Sequence, residues 1–252
     1  MRYFINLSYD GAAYHGWQVQ PDDITVQQRL NEALATLLRT PVETVGAGRT
    51  DAGVNASCMV AHFDCDALPY PLEQLVYKLN RILPPDIAIH DIRPVKEDAH
   101  ARFSALARTY YYYVCTEKSP FRRRYAMRLP FAVDFEKMNH AAYILLSTSD
   151  FTSFSKLHTD TKTNICNVTA ARWEETEPGL WRFTITADRF LRNMVRAIVG
   201  TLLDVGRGKI TEDDLHYIID AHDRCSAGDS VMGEALFLAD VRYPEEIYLR
   251  LP

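Results

Sequence analysis

Thr109-Tyr110-Tyr111-Tyr112-Tyr113-Val114, near the middle of the chain, is the stretch on which the reading of the fold turns. An unbroken run of aromatic residues closed by a valine favours extended backbone, and residues 106–115 read as a β-strand. Side chains alternate along a strand, so Tyr110 and Tyr112 point to one face and Tyr111 and Tyr113 to the other. One pair belongs to a core. The other either packs as well or offers a stacking surface to a nucleobase. The run also restarts the pattern with which the chain opens. At residues 2–9, Tyr3, Ile5, Leu7 and Tyr9 share one face of a strand, while Arg2, Asn6 and Ser8 share the other.

Outward from these two strands the halves run in parallel. After the first comes a loop, Asp10 to Pro21, rich in glycine, aromatic and amide side chains. Thr25 and Gln28 form a capping-box pattern, followed by Val26, Leu30, Ala33, Leu34, Leu37 and Leu38 at helical spacing and stopped by Pro41. A glycine-rich loop at 46–53 leads to a strand near 56–64, a helix near 71–83 ended by Pro84-Pro85, and a strand at 87–93. In the second half Asp134 caps a helix bearing Phe135, Met138, Ala142 and Leu145. Strands follow near 164–174 and 180–187. Asp188 opens a long helix over 190–204, ended by Gly206 and Gly208, and Thr211 caps another. Leu236–Tyr243 closes the chain as a strand. The expectation is an α+β protein of two ferredoxin-like α/β halves, residues 1–105 and 106–252, sharing a central, mainly antiparallel sheet with a cleft.

The 252 residues are enough to bury a core without disulfides or metals, and 47% hydrophobic with 24% charged is an ordinary soluble composition. No apolar run is long enough to span a bilayer, and the start has no signal-peptide core, which points to the cytoplasm. Five cysteines with no CxxC spacing read as free thiols in a reducing compartment, and the histidines show no metal-site spacing. The net charge of −5 argues against a generic nucleic-acid coat but leaves room for a local basic groove.

Several clusters carry candidate chemistry. Gly46, Gly48 and Gly53 give the 46–53 loop access to unusual backbone conformations, and Arg49 and Asp51 lie between them. A carboxylate beside a guanidinium stays ionised at neutral pH, as a nucleophile or general base requires; the same residues in isolation read better as a surface turn with a weak ion pair. Arg189, Arg192 and Arg196 recur at helical spacing, Arg102 and Arg108 flank the start of the tyrosine strand, and Arg122-Arg123-Arg124 form a basic run. Three basic clusters in an acidic chain suit an extended anionic partner, although solvated faces account for the 122–124 run. There is no Walker loop, no GxGxxG and no GxSxG elbow.

The ordered motifs resemble one family. Gly48-Arg49-Thr50-Asp51-Ala52-Gly53-Val54-Asn55-Ala56 is similar to the GRTDAGVHA signature of the TruA family of tRNA pseudouridine synthases. Tyr9-Asp10-Gly11 with Gly16-Trp17-Gln18-Val19-Gln20-Pro21, His100-Ala101-Arg102-Phe103-Ser104-Ala105, Ala107-Arg108-Thr109-Tyr110, Asp150-Phe151-Thr152-Ser153-Phe154 and Phe190-Leu191-Arg192-Asn193-Met194-Val195-Arg196 resemble further family segments in the same order. The resemblance implies isomerisation of uridine to pseudouridine in the anticodon stem-loop of tRNA, at positions 38–40, by a cytoplasmic homodimer that needs no cofactor.

The resemblance also implies roles. Asp51 corresponds to the catalytic aspartate, Arg196 to the basic residue paired with it, and Tyr110 to the tyrosine that packs on the flipped base. Arg49 corresponds to the arginine that displaces that base, and Leu236 to an apolar residue against the uracil; Arg102 and Arg108 are candidate substrate contacts. Two departures stand out: Asn55 replaces the usual histidine, and Ser230-Val231-Met232-Gly233-Glu234-Ala235-Leu236 diverges from the family's TAPxxGL-like stretch. The alternatives are a non-catalytic RNA-binding protein of the same fold and a glycosidase. The latter requires a second carboxylate near Asp51, for which Asp64, Asp66 and Asp98 are the candidates.

Overall fold

The computed structural model describes residues 1–156 and 162–249. The chain divides into two compact units, one of residues Met1–Leu106 together with the chain from Leu238 on, the other Ala107–Phe237.

In the first unit, β1 (Arg2–Tyr9) is followed by α1 (Val26–Leu38), β2 (Val45–Gly46), β3 (Asn55–Asp64), α2 (Leu72–Ile82) and β4 (Ile87–Val95). Thr25 caps α1, its hydroxyl accepting the N–H of Gln28, and the helix ends at Arg39 in the left-handed conformation (φ 57°). The apolar stripe of α1 buries Val26, Leu30, Ala33 and Leu34. The strands run β4-β1-β3 with β2 on β3, all antiparallel, which is the strand order of a split βαβ unit. Ile5, Leu7, Met59 and Phe63 on the sheet are wholly buried, as are Leu30, Leu34, Leu75 and Leu79 on the helices. Each such side chain stabilises the unit by about 1.5–3 kcal/mol relative to exposure.

The second unit repeats the plan. β5 (Ala107–Cys115) precedes the short β6 (Met127–Arg128), α3 (Phe135–Ser147), β7 (Val168–Glu177), β8 (Leu180–Ala187), α4 (Met194–Gly206) and α5 (Glu212–Asp220). The order β5-β8-β7 is antiparallel throughout, with β6 parallel on β5. Asp134 caps α3, and Thr211 with Asp214 forms a full capping box on α5. Of the tyrosine run, Tyr110 and Tyr112 are the buried pair, and Tyr111 and Tyr113 are half-exposed. The final strand is β9 (Leu236–Arg242).

Three expectations need correction. The C-terminal segment does not stay with the second half, because from Leu238 on it packs with the first unit. The helix expected over 190–204 starts only at Met194, after Asn193 in the left-handed conformation (φ 67°), so Arg189 and Arg192 precede the helix that carries Arg196. Asp188 does not cap it. Its carboxylate accepts the N–H groups of Asn167 and Arg189 at 2.8 and 2.7 Å and closes the turn after β8 instead.

Candidate active site

In the first unit, Asp51 lies on the irregular link between β2 and β3, and neighbouring backbone fixes that link on both sides. Ala47 N–H donates to the carbonyl of Val60 (2.7 Å), Trp17 N–H to Thr50 (3.2 Å), and Gly53 N–H to Tyr14 (3.3 Å). The hydroxyls of Tyr9 and Thr50 share a 2.8 Å hydrogen bond that is buried. Thr50 thus points inward, leaving Arg49 exposed and Asp51 half-buried. The carboxylate therefore stands on a braced loop rather than a free surface turn.

The brace is the Tyr9–Trp17 stretch, and glycines let it approach. A Cβ on Gly11 would lie 2.1 Å from the carbonyl oxygen of Val54, and one on Gly16 (φ 87°) 2.3 Å from that of Thr50. The Asn55 amide oxygen accepts the N–H of Gly11 at 2.9 Å. Trp17, 2% exposed, lies against Gly46, where a Cβ would meet the indole nitrogen at 2.5 Å. Gly53 has φ 76°, but a Cβ added at Gly48 would have no atom within 4 Å, so the expected need for glycine at 48 does not hold.

Arg102 is exposed on a turn that histidines organise. His100 Nδ1 accepts the N–H groups of Arg102 and Phe103 at 3.1 and 3.3 Å, and His62 Nδ1 that of Ala101 at 3.1 Å. The Arg102 guanidinium lies over the ring of Phe103, which is 76% exposed. This turn presents a cation and an aromatic face to solvent, a combination suited to nucleic acid.

The second unit brings together the remaining candidates. Tyr110, 8% exposed, packs edge-on against Phe190 at 5.0 Å. Arg196, on the first turn of α4, donates from Nε to the carbonyl of Val231 at 2.6 Å and accepts the Val231 N–H on its own carbonyl at 3.2 Å. The Tyr112 hydroxyl donates to the carbonyl of Met232 at 3.1 Å, and burial raises its pKa, an effect the nearby Arg196 charge opposes. Leu236, 6% exposed, follows in the same segment, its N–H bound to the carbonyl of Gly233. Arg108 is 8% exposed and donates to the carbonyl of Asp188 at 2.7 Å, which suits bracing β5 better than reaching a phosphate.

The second carboxylate of a glycosidase does not come from Asp64. That residue ends β3, the strand that starts just after the Asp51 loop, and nine residues of strand place it roughly 30 Å along. It is bound there by Arg2 at 2.7 Å. Among the described residues no cluster of three or more His, Cys, Asp or Glu is arranged to hold a metal ion. No helix among them is long and apolar enough to cross a membrane.

The sequence profile of a family described as tRNA pseudouridine synthase matches residues 141–244. A tRNA pseudouridine synthase A of Bacteroides fragilis is 59% identical over 98% of this chain and 98% of its own length. That of Bacillus subtilis is 42% identical over 96% and 99%. The chain belongs to the TruA family of tRNA pseudouridine synthases. The TruA likeness runs through both units, so it takes in the Asp51 loop of the first as well as α4 and the 231–236 segment of the second. In the sequence that segment stands out only as a divergence from TruA. The backbone bonds it makes to Arg196 and Tyr112 carry no residue-type signature.

Proposed function

We propose that this protein is a cytoplasmic, homodimeric tRNA pseudouridine synthase A that isomerises uridine at positions 38–40 of the anticodon stem-loop. The observation that carries the reading is the braced Asp51 loop in a chain whose TruA relatives match it end to end. A binding protein has no use for a half-buried carboxylate on a loop tethered at this many points.

The reaction breaks the N1–C1′ bond, turns the uracil, and joins C5 to C1′. C5 loses its proton to solvent and N1, freed from C1′, gains one, so reactant and product have the same composition and no oxidant or co-reactant is needed. The base must first leave the helical stack, which costs a few kcal/mol. Arg49, exposed beside Asp51, is the side chain that fills the vacated space. Asp51 supplies the carboxylate that acts on the ribose or the base, and Arg196, by the family resemblance, the positive charge that the reaction uses. Tyr110 offers its ring to the extruded uracil, and Leu236 an apolar contact. With an ordinary pKa of about 10, a tyrosine is a poor base, so packing is the role that Tyr110 fits. Arg102 contacts the RNA backbone, and Arg108 braces β5 through the carbonyl of Asp188.

The test is release of tritium from tRNA carrying uridine labelled at C5. Release from an anticodon stem-loop with uridines at 38–40, and none after their replacement by cytidine, supports the reading. No release from any uridine-bearing anticodon stem-loop contradicts it.

A further inference from the structure

We infer that Ser230 is a positioning residue for Arg196, acting through a strap, residues 227–233, that lies along α4. The inference rests on the reading that Arg196 serves the reaction.

The strap runs antiparallel to the helix and touches it at successive turns. Gly228 N–H donates to the hydroxyl of Thr201 at 3.0 Å, and that hydroxyl donates to the carbonyl of Ala197 at 2.9 Å. One residue on, the Asp229 carbonyl oxygen lies where a Cβ on Gly200 would come within 1.8 Å, so strap backbone rests directly on helix backbone. Val231 then closes on Arg196 in both directions, accepting from Nε at 2.6 Å and donating to the Arg196 carbonyl at 3.2 Å. A guanidinium is planar, so a bond to Nε fixes the plane in which its remaining N–H groups lie.

Between these contacts stands Ser230. Its hydroxyl oxygen accepts from Asn193 Nδ2 at 2.5 Å and from Arg224 Nη2 at 2.9 Å. Asn193 is the left-handed residue at the start of α4, three positions before Arg196. Arg224 also donates to the carbonyls of Ala227 and Gly228, at 3.3 and 3.1 Å, and so ties the start of the strap to Ser230. One hydroxyl therefore joins the entry to the helix, the root of the strap and the residue whose carbonyl orients Arg196. Removing it releases the Val231 carbonyl from its register without deleting any group that touches the guanidinium.

The experiment measures the single-turnover rate of pseudouridine formation and the tRNA Kd for wild type, Ser230→Ala, Ser230→Thr and Arg196→Lys. Ser230→Ala should lower the rate by about ten- to a hundredfold, the penalty of a displaced reacting group. Its Kd should stay within about threefold, because phosphate contacts dominate affinity. Ser230→Thr keeps the hydroxyl and should restore the rate to within about threefold. A wild-type rate in Ser230→Ala beside an impaired Arg196→Lys overturns the inference. So does a loss of rate matched by an equal loss of affinity, or one that threonine does not repair, since either assigns Ser230 to folding alone. Full activity in Arg196→Lys instead overturns the role of Arg196 on which the inference stands.

Discussion

The amide oxygen of Asn55 accepts the backbone N–H of Gly11 across 2.9 Å in a buried setting, and this bond joins the Asp51 loop to the loop that follows β1. It gives a physical meaning to a residue that in sequence stands out only as a departure from a histidine. A histidine ring nitrogen can accept the same N–H, so either residue type can serve this bond. Asn55→Leu leaves a buried donor unpaired and should cost about 1–3 kcal/mol in urea unfolding, while Asn55→His should cost less. Equal losses in the two variants would contradict this role for position 55.

Glycine is needed at 16 and not at 48. Gly16→Ala places a side chain at φ 87° with its Cβ 2.3 Å from the Thr50 carbonyl oxygen, so the Asp51 loop must move. Gly48→Ala meets nothing within 4 Å. Single-turnover rates should fall by about a hundredfold in the first variant, as a misplacement of about 1 Å produces, and stay within about threefold in the second. A fully active Gly16→Ala would show that the loop is not held by that contact.

His62 makes the first unit sensitive to acid. Burial, with the Arg2 guanidinium and His100 adding to it, lowers its pKa from 6.5 to about 4. Between those values the unfolded chain binds a proton that the folded chain refuses. Stability is therefore complete above about pH 6.5 and declines as the pH falls toward 4. His100, shifted in the same direction by its own burial, adds to the decline. Asp64, whose hydrogen bond to Arg2 lowers its pKa below 3.8, loses its contribution only in stronger acid. His62→Asn keeps an acceptor for the Ala101 N–H and removes the titration, so its urea midpoint should fall less between pH 7 and pH 5 than that of wild type. An identical fall would show that His62 is not the source of the acid sensitivity.

Much of the fold is legible in the sequence because local chemistry announces itself. Thr25, Asp134 and Thr211 read as helix caps from residue type and spacing, and each caps its helix. The alternation of the tyrosine run is equally plain, but which pair is buried depends on distant segments, Phe190 against Tyr110 and the Met232 carbonyl on Tyr112, and not on the run itself. Asp188 misleads because a carboxylate that closes a strand turn looks the same in sequence as one that opens a helix. Asp51 is visible through its glycines and its family signature. The strap over Arg196 is not, since it works through the carbonyl of Val231, which any residue would supply.

Asp51 carries the chemistry in this reading, and other groups carry most of the tRNA affinity. Tritium release from C5-labelled tRNA, measured beside the tRNA Kd for Asp51→Ala, tests that division most directly. Asp51→Ala should show no detectable release and a Kd within about tenfold of wild type, because cationic contacts to phosphate supply most of the binding. Release at the wild-type rate from Asp51→Ala would contradict it.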